Sequence, residues 1–307
     1  MLKPKFWSKK NSLLSLFLFP FSLLLRLLIM IKNTFINKES FSLPVICVGN
    51  IYLGGTGKTP VSIEIVEILK KNNIRTAIIK KSYTAHTDEF KMIESRNIPL
   101  FTNKLRSEAI RDAESNKYDC VVMDDGFQDS KINAKLNIIC FNNKQLIGNG
   151  FTLPSGPLRE PLSALKRTQI IIINGNKNHE FEHKIKNISK NIKIYYSKYL
   201  PLNINSFKNH NLLAFAGIGN PENFFDLLEE YNLKIIKKVS FPDHYNYSKD
   251  ELNKLVIFAE KNNLKLITTE KDFFRIKDLA MPQIKYLNIK LEILDKVSFE
   301  NEIIKYL

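Results

Sequence analysis

The chain has 307 residues, 44% of them hydrophobic, and a formal net charge of +15. That length suits about two domains of ordinary size, and that apolar content excludes a chain too polar to build a core. Cys47, Cys120 and Cys140 stand far apart in apolar runs with no CxxC pair, which argues against a disulfide framework and a structural zinc site and for a reducing compartment.

Residues 13–31 read LLSLFLFPFSLLLRLLIMI, close to the roughly 20 apolar residues that cross a bilayer. Pro20 interrupts the run, and Arg26 inside it costs about 2.5–3.5 kcal/mol on insertion scales. The KNTFINKES that follows has no small-residue cleavage site of the secretory type. No acid precedes Glu39, whereas Lys3, Lys5, Lys9, Lys10, Arg26, Lys32 and Lys38 do. Three readings stay open: a helix lying in the membrane interface, a single transmembrane anchor, or a buried core helix. Trp7 beside Lys5, Lys9 and Lys10 suits an aromatic–basic collar at headgroup level and favours the first two. The positive charge as a whole suits nucleic acid, anionic lipid or phosphorylated substrates, or reflects lysine scattered throughout the chain.

After residue 40, short apolar runs alternate with amphipathic stretches. LPVICVGN (43–50) reads as a strand, VSIEIVEILKK (61–71) as a helix, and IRTAIIK (74–80), DCVVMDD (119–125), LNIICFN (136–142) and IIIIN (170–174) as strands. This βαβ rhythm predicts an α/β fold, a mainly parallel sheet with helices on both faces. Around IKIYYSKYLPLNIN (192–205) the pattern breaks, and a second βα series follows. It reads LLAFAGIG (212–219), PENFFDLLEEY (221–231), LKIIKKVSF (233–241), KDELNKLVIFAEKN (249–262), LKLITTEKD (264–272) and IKYLNIKLEIL (284–294). The expected organisation is therefore an N-terminal membrane-associated helix (1–38), a phosphate-loop core (39–191), a linker (192–210) and a smaller α/β domain (211–307).

Gly54-Gly55-Thr56-Gly57-Lys58-Thr59 lies between a predicted strand and a predicted helix. Glycines there let backbone N–H groups approach phosphate oxygens, and the helix start turns its positive dipole end towards them. Lys58 is placed to reach the β and γ phosphates of ATP and Thr59 to ligate Mg²⁺. The strict pattern has glycine where this chain has Tyr52, so the loop is a variant. Asp124 and Asp125 end an apolar strand, where ligands of open α/β sheets bind. Adjacent carboxylates there repel each other and call for a cation, which suits a hold on Mg²⁺.

With these motifs in place, the sequence resembles the tetraacyldisaccharide 4′-kinases. VGNIYLGGTGKTP (48–60), DDGFQ (124–128), GNGFTLPSGPLREP (148–161), FPDHYNY (241–247) and TEKD (269–272) carry the likeness, in the family's order and over nearly the whole chain. The resemblance implies a P-loop kinase that moves the γ-phosphate of ATP to the 4′-hydroxyl of tetraacyldisaccharide 1-phosphate in lipid A biosynthesis. It implies two α/β domains with the active site between them, on the cytoplasmic face of the bacterial inner membrane, peripheral or anchored by one helix. The chain is expected to take no nucleic-acid ligand, since its basic residues are dispersed and carry no recognition motif, and no obligate protein partner is inferred. By the same likeness Arg159 is a phosphate-facing cation and Glu160 a further acid near Mg²⁺. His244 is the active-site histidine, paired with Asp88 of His86-Thr87-Asp88-Glu89, and Asn50, Tyr83, Arg106 and Gln128 are substrate contacts. The chain departs from the family at Thr87, where a glycine is usual, at Lys80-Lys81-Ser82-Tyr83, which replaces SRGY, and at Asp129, where a histidine is usual.

Two other functions compete. A membrane-associated ATPase of the partitioning or cell-division type would carry a lysine where Leu53 stands, and has no need of LPSGPLREP. A basic nucleic-acid module would show a recognition motif, and none of the helix–turn–helix, RNP or zinc type is present.

Overall fold

The structure, a computed structural model, describes residues 4–10, 12–82 and 87–307. Tyr83 and His86, singled out above, lie outside these residues. In chain order the elements begin with α1 (Leu13–Thr34), β1 (Val45–Gly49), α2 (Lys58–Lys71), β2 (Thr76–Lys81), α3 (Thr87–Glu94), β3 (Leu100–Asn103), α4 (Arg106–Ser115), β4 (Cys120–Asp124), β5 (Leu136–Asn142), β6 (Ile170–Asn174) and α5 (His179–Ile188). They continue with β7 (Lys193–Pro201), β8 (Asn211–Ala216), α6 (Pro221–Glu230), β9 (Lys234–Ser240), α7 (Lys249–Lys261), β10 (Lys265–Thr269), α8 (Glu270–Ile276), β11 (Ile284–Leu287), β12 (Ile289–Ile293) and α9 (Lys296–Ile304).

Among the described residues, eight strands form one sheet in the order β12-β7-β6-β5-β1-β4-β2-β3, and four form another in the order β11-β10-β8-β9. In the larger sheet β1 pairs in parallel with both β4 and β5, and Val48 stands opposite Asp124. The carboxyl ends of β1 and β4 therefore lie side by side, where ligands of open α/β sheets bind. Successive strand residues face opposite sides of a sheet. Val45, Cys47, Ala77, Ile79, Val121 and Met123 join one core with Ala109 and Ile110 of α4. Ile46, Val48, Ile78 and Val122, which point the other way, are also fully buried, so both faces are covered as the unbroken Val/Ile runs predict.

The chain divides into two compact units. The larger holds the described residues of Lys3–Ser82, Ile98–Lys198 and Glu292–Leu307, and the smaller those of Tyr83–Asn97 and Tyr199–Leu291. This corrects the expected boundaries. The first part of the expected 192–210 linker is instead β7, which pairs in parallel with β6 and buries Tyr195, Tyr196 and Ser197. The run 284–294 is not one strand. It divides at Asn288, leaving β11 beside β10 in the smaller sheet while β12 joins the larger one. Residues 292–307 accordingly belong to the larger unit, where Phe299 packs its ring edge-on at 5.1 Å from Tyr195 and Lys296 Nζ meets Glu64 Oε1 of α2 at 2.9 Å. α3 leaves the expected core because it packs on α8.

α1 runs through Pro20 without a break and is long and apolar enough to cross a membrane. Its two buried residues are serines, Ser15 and Ser22, seven positions apart and hence on one face. Leu13, Phe17, Met30 and most other large side chains of the helix are exposed. With only 11% of its most apolar stretch buried, α1 is no core helix, which removes one of the three sequence readings.

Candidate functional site

The loop after β1 is held from below. Asn50, fully buried, donates from Nδ2 to the Gly54 carbonyl at 3.1 Å and to Thr56 Oγ1 at 2.9 Å. It thus braces the loop, because a short amide at that point satisfies two acceptors inside the turn. Gly57 caps α2 at φ +87°, a left-handed conformation that costs glycine little. Open space lies where Gly55 would carry a Cβ.

Thr59 sits in the first turn of α2 and donates from Oγ1 to Asp124 Oδ2 at 2.8 Å, while Ser62 one turn on donates to Asp124 Oδ1 at 3.1 Å. Lys80 Nζ reaches the same Oδ2 at 2.5 Å, a buried ion pair that sequence reading missed. Asp125 follows at φ +53°, which turns its carboxylate towards Lys58 Nζ at 3.6 Å and Arg159 Nη1 at 3.0 Å. Burial pushes the Asp125 carboxyl up, but Lys58, Arg159, Lys80 and Arg106 outweigh it and hold the group below the ordinary carboxylate range.

LREP is stitched to the phosphate loop by backbone. The Leu53 N–H donates to the Pro157 carbonyl at 2.8 Å and the Arg159 N–H to the Ile51 carbonyl at 2.7 Å. These bonds aim the Arg159 guanidinium at Asp125. Gln128 links the pieces: Nε2 donates to the Asn50 carbonyl at 2.8 Å and Glu160 Oε1 at 3.1 Å, and Oε1 accepts from Arg159 at 3.2 Å. Glu160 also pairs with Arg167 at 2.6 Å. Arg106 donates to the Asp125 carbonyl at 2.8 Å and pairs with Asp129 at 3.2 Å, so the usual histidine is replaced by a partner for Arg106.

The donor set fits a polyphosphate with Mg²⁺. Lys58, Lys80, Arg106 and Arg159 converge on Asp124-Asp125 beside the space over Gly55. Among the described residues no three or more His, Cys, Asp or Glu side chains form a metal cage. A hydroxyl and a carboxylate beside phosphate oxygens suit Mg²⁺, which keeps much of its water.

The smaller unit holds the other expected pair. The loop FPDHYNY is anchored by its aromatics, with Phe241 packing on Tyr245 at 4.9 Å and on Tyr247 at 5.0 Å. His244 adopts φ +57°, and its N–H donates to the Gly217 carbonyl at 3.2 Å. Its Nδ1 lies 3.9 Å from Asp88 Oδ2, within ion-pair range, and its Nε2 lies 3.8 Å from Asp243 Oδ1 and 3.4 Å from Lys271 Nζ. Asp88 is buried and also meets Arg275 Nη2. Sequence reading did not find Lys80, Ser62, Lys271 or Arg275. The available signals were a lysine closing an apolar strand and an arginine three residues after Asp272, on the same helix face.

Comparison with known proteins gives the family and the fold. A family model described as tetraacyldisaccharide-1-P 4′-kinase matches residues 14–307. A curated tetraacyldisaccharide 4′-kinase of Pelagibacter ubique (strain HTCC1062) is 46% identical, covering 99% of this chain and 97% of its own. One of Rickettsia bellii (strain OSU 85-389) is 33% identical, covering 95% of each. The crystal structure of LpxK from Aquifex aeolicus in complex with ATP superposes with a TM-score of 0.73 at 24% identity, over 96% of this chain and 99% of that one, which shows the shared fold. A full-length match to the model and to curated relatives, on a chain whose fold is the same, places it among the tetraacyldisaccharide-1-P 4′-kinases: the chain belongs to that family.

Proposed function

We propose that this family member uses ATP with Mg²⁺ to phosphorylate the 4′-hydroxyl of tetraacyldisaccharide 1-phosphate, with the roles divided as follows. The backbone of Gly54–Lys58 and the Lys58 ammonium bind the phosphates. Thr59, Asp124 and Asp125 hold the metal, with Glu160 behind them through Gln128 and Arg159. Held by these residues, the metal would supply positive charge that offsets the phosphate oxygens. Lys58 and Arg159 steady the charge that grows on the transferring phosphoryl group. His244 takes the proton of the acceptor hydroxyl at Nε2 while Asp88 steadies the Nδ1 side.

The observation that carries this reading is the convergence of Thr59, Lys58, Lys80 and Arg159 on two adjacent aspartates at a strand end. Incubation with γ-labelled ATP, Mg²⁺ and a disaccharide lipid acceptor tests it. Label is expected in the lipid, and label found only in free phosphate would refute the assignment.

A lipid surface is the second partner we infer, on the cytoplasmic face of the inner membrane. The outward apolar side chains of α1 support this, as do three free, buried cysteines that suit a reducing compartment. Deleting residues 1–32 is expected to release the protein from membranes or leave it aggregated. A soluble and fully active truncation would remove the anchor.

A further inference from the structure

Thr269-Glu270-Lys271-Asp272 is one of the motifs that mark the chain, yet no role above uses it. Its side chains are all engaged within the smaller unit. Thr269 caps α8, Glu270 pairs with Arg96 at 2.8 Å, Lys271 pairs with Glu89 at 2.9 Å, and Asp272 accepts the Gly217 N–H at 2.9 Å and the Tyr247 hydroxyl at 3.0 Å. Arg275 lies on the Asp272 face, and its side chain is 11% exposed. Nη1 donates to Asp272 Oδ1 at 2.8 Å and to the Gly217 carbonyl at 3.1 Å, and Nη2 donates to Asp88 Oδ2.

Two of those acceptors belong to the His244–Asp88 pair. The Gly217 carbonyl is the one that accepts the His244 N–H, and Asp88 Oδ2 is the oxygen nearest His244 Nδ1. One guanidinium therefore grips both the carboxylate and the backbone that seats the imidazole. Gly217 leaves this junction little slack, since a Cβ there would stand 2.5 Å from the Tyr247 hydroxyl and 3.1 Å from Asp272 Oδ1. His244, held at positive φ, has lost the freedom to adjust by its own backbone.

We propose that Arg275 is a positioning residue that clamps Asp88 and His244 into one unit. The proposal rests on the reading of His244 and Asp88 as the proton-accepting pair. A guanidinium suits the task because it is planar, permanently charged and donates in several fixed directions, whereas an ammonium is a point charge. The charged groups in reach of the imidazole are Asp88 from α3, Lys271 from α8 and Asp243 from its own loop, and behind them Glu89 pairs with Lys271 while Arg275 pairs with Asp88 and Asp272. Arg275 takes up part of the Asp88 charge. Losing it leaves more of that charge to His244 and favours the imidazolium.

The test compares Arg275→Met, Arg275→Lys and His244→Ala in the full chain. It reads kcat with the lipid acceptor, ATP affinity, thermal stability, and the pH midpoint of the His244 ring signal by NMR. Arg275→Met is expected to lower kcat about 100-fold while ATP affinity stays within about twofold. Its His244 midpoint should rise by about one pH unit. Arg275→Lys keeps the charge but not the fork, so its midpoint should stay near wild type while kcat falls about tenfold. If His244→Ala is severely impaired and Arg275→Met turns over within about threefold of wild type, the clamp is overturned. A loss shared equally by kcat, ATP affinity and thermal stability marks a general structural role and also overturns it. If His244→Ala is unimpaired, the pair reading has failed, and the clamp then stands or falls on whether the midpoint moves. Where Arg275→Met does not fold, Arg275→Lys supplies the kcat criterion.

Discussion

The charges at the end of β4 and those around α8 are built on opposite plans. At β4 the acids come from one dipeptide, Asp124-Asp125, and the cations arrive from four separate segments at Lys58, Lys80, Arg106 and Arg159. Around α8 the cations Lys271 and Arg275 come from one short helix, which also carries Asp272, and further acids arrive from separate segments at Asp88 and Asp243. Converging cations on a rigid strand end make a grip for an incoming polyanion. Converging acids around one buried arginine leave little charge to offer a ligand and set instead the orientation of a neighbouring ring. In the roles proposed for them, one arrangement binds and the other aims.

The comparison breaks first at Lys58. Lys58→Ala is expected to lower kcat by about 10²–10³ at saturating ATP, the scale of losing one charge-stabilising donor. Turnover within a few-fold of wild type would mean that the β4 cluster is an ordinary ion-pair network. Next is Lys80. Lys80→Met leaves Asp124 buried with only hydroxyl donors in place of its cation, and removing one partner of a buried pair costs about 3–5 kcal/mol of stability. Denaturant unfolding should show that loss, and Mg²⁺ with ATP should recover part of it by binding the folded state. A variant as stable as wild type would show that Asp124 is not a paired, buried acid.

The α1 contacts give a smaller effect. Ser22 Oγ donates to the Thr152 carbonyl at 2.9 Å and accepts the Ser155 N–H at 3.1 Å. Ser22→Ala leaves those buried groups unsatisfied, at about 1–3 kcal/mol, and thermal unfolding checks it. The smallest effect concerns acid. The folded Asp125 carboxyl is held below its unfolded value. The stability it contributes is therefore present above the ordinary carboxylate pKa of about 4 and is lost as pH falls through the lowered folded value. Asp125→Asn should flatten unfolding free energy against pH in that acid window, and an unchanged slope would remove the claim.

What the sequence made legible was local. The strand runs at 45–49, 120–124 and 136–142 and the glycine loop carry their signals within a few residues, and the structure places them as read. Thr59 beside Asp124 and Lys58 beside Asp125 followed from that order, because neighbouring parallel strands end together. Illegible features depended on which distant segments meet. β7 mixes tyrosines and lysines and ends in Pro201, so it reads as a connection although Lys193–Ser197 pair with β6. A serine in an apolar helix reads as neutral, so nothing local shows that Ser15 and Ser22 face inward while leucines face out. Lys80 next to Lys81 reads as a solvated strand end until β4 supplies its acid. Asn50 reads as a polar loop residue until its burial shows it bracing the turn.

The division at Asn288 bears on how the chain acquires its shape during synthesis. The smaller unit is spliced into the larger, so residues 292–307 return to a body that the chain left after Lys198. Phe299 and Ile303 are completely enclosed there, and Lys296 and Glu300 supply partners to Glu64 in the middle of α2 and Asn72 at its C-terminal cap. While those last residues remain in the ribosomal tunnel, the nucleotide-gripping body stands with an open seam. The smaller unit has no such dependence and can mature first.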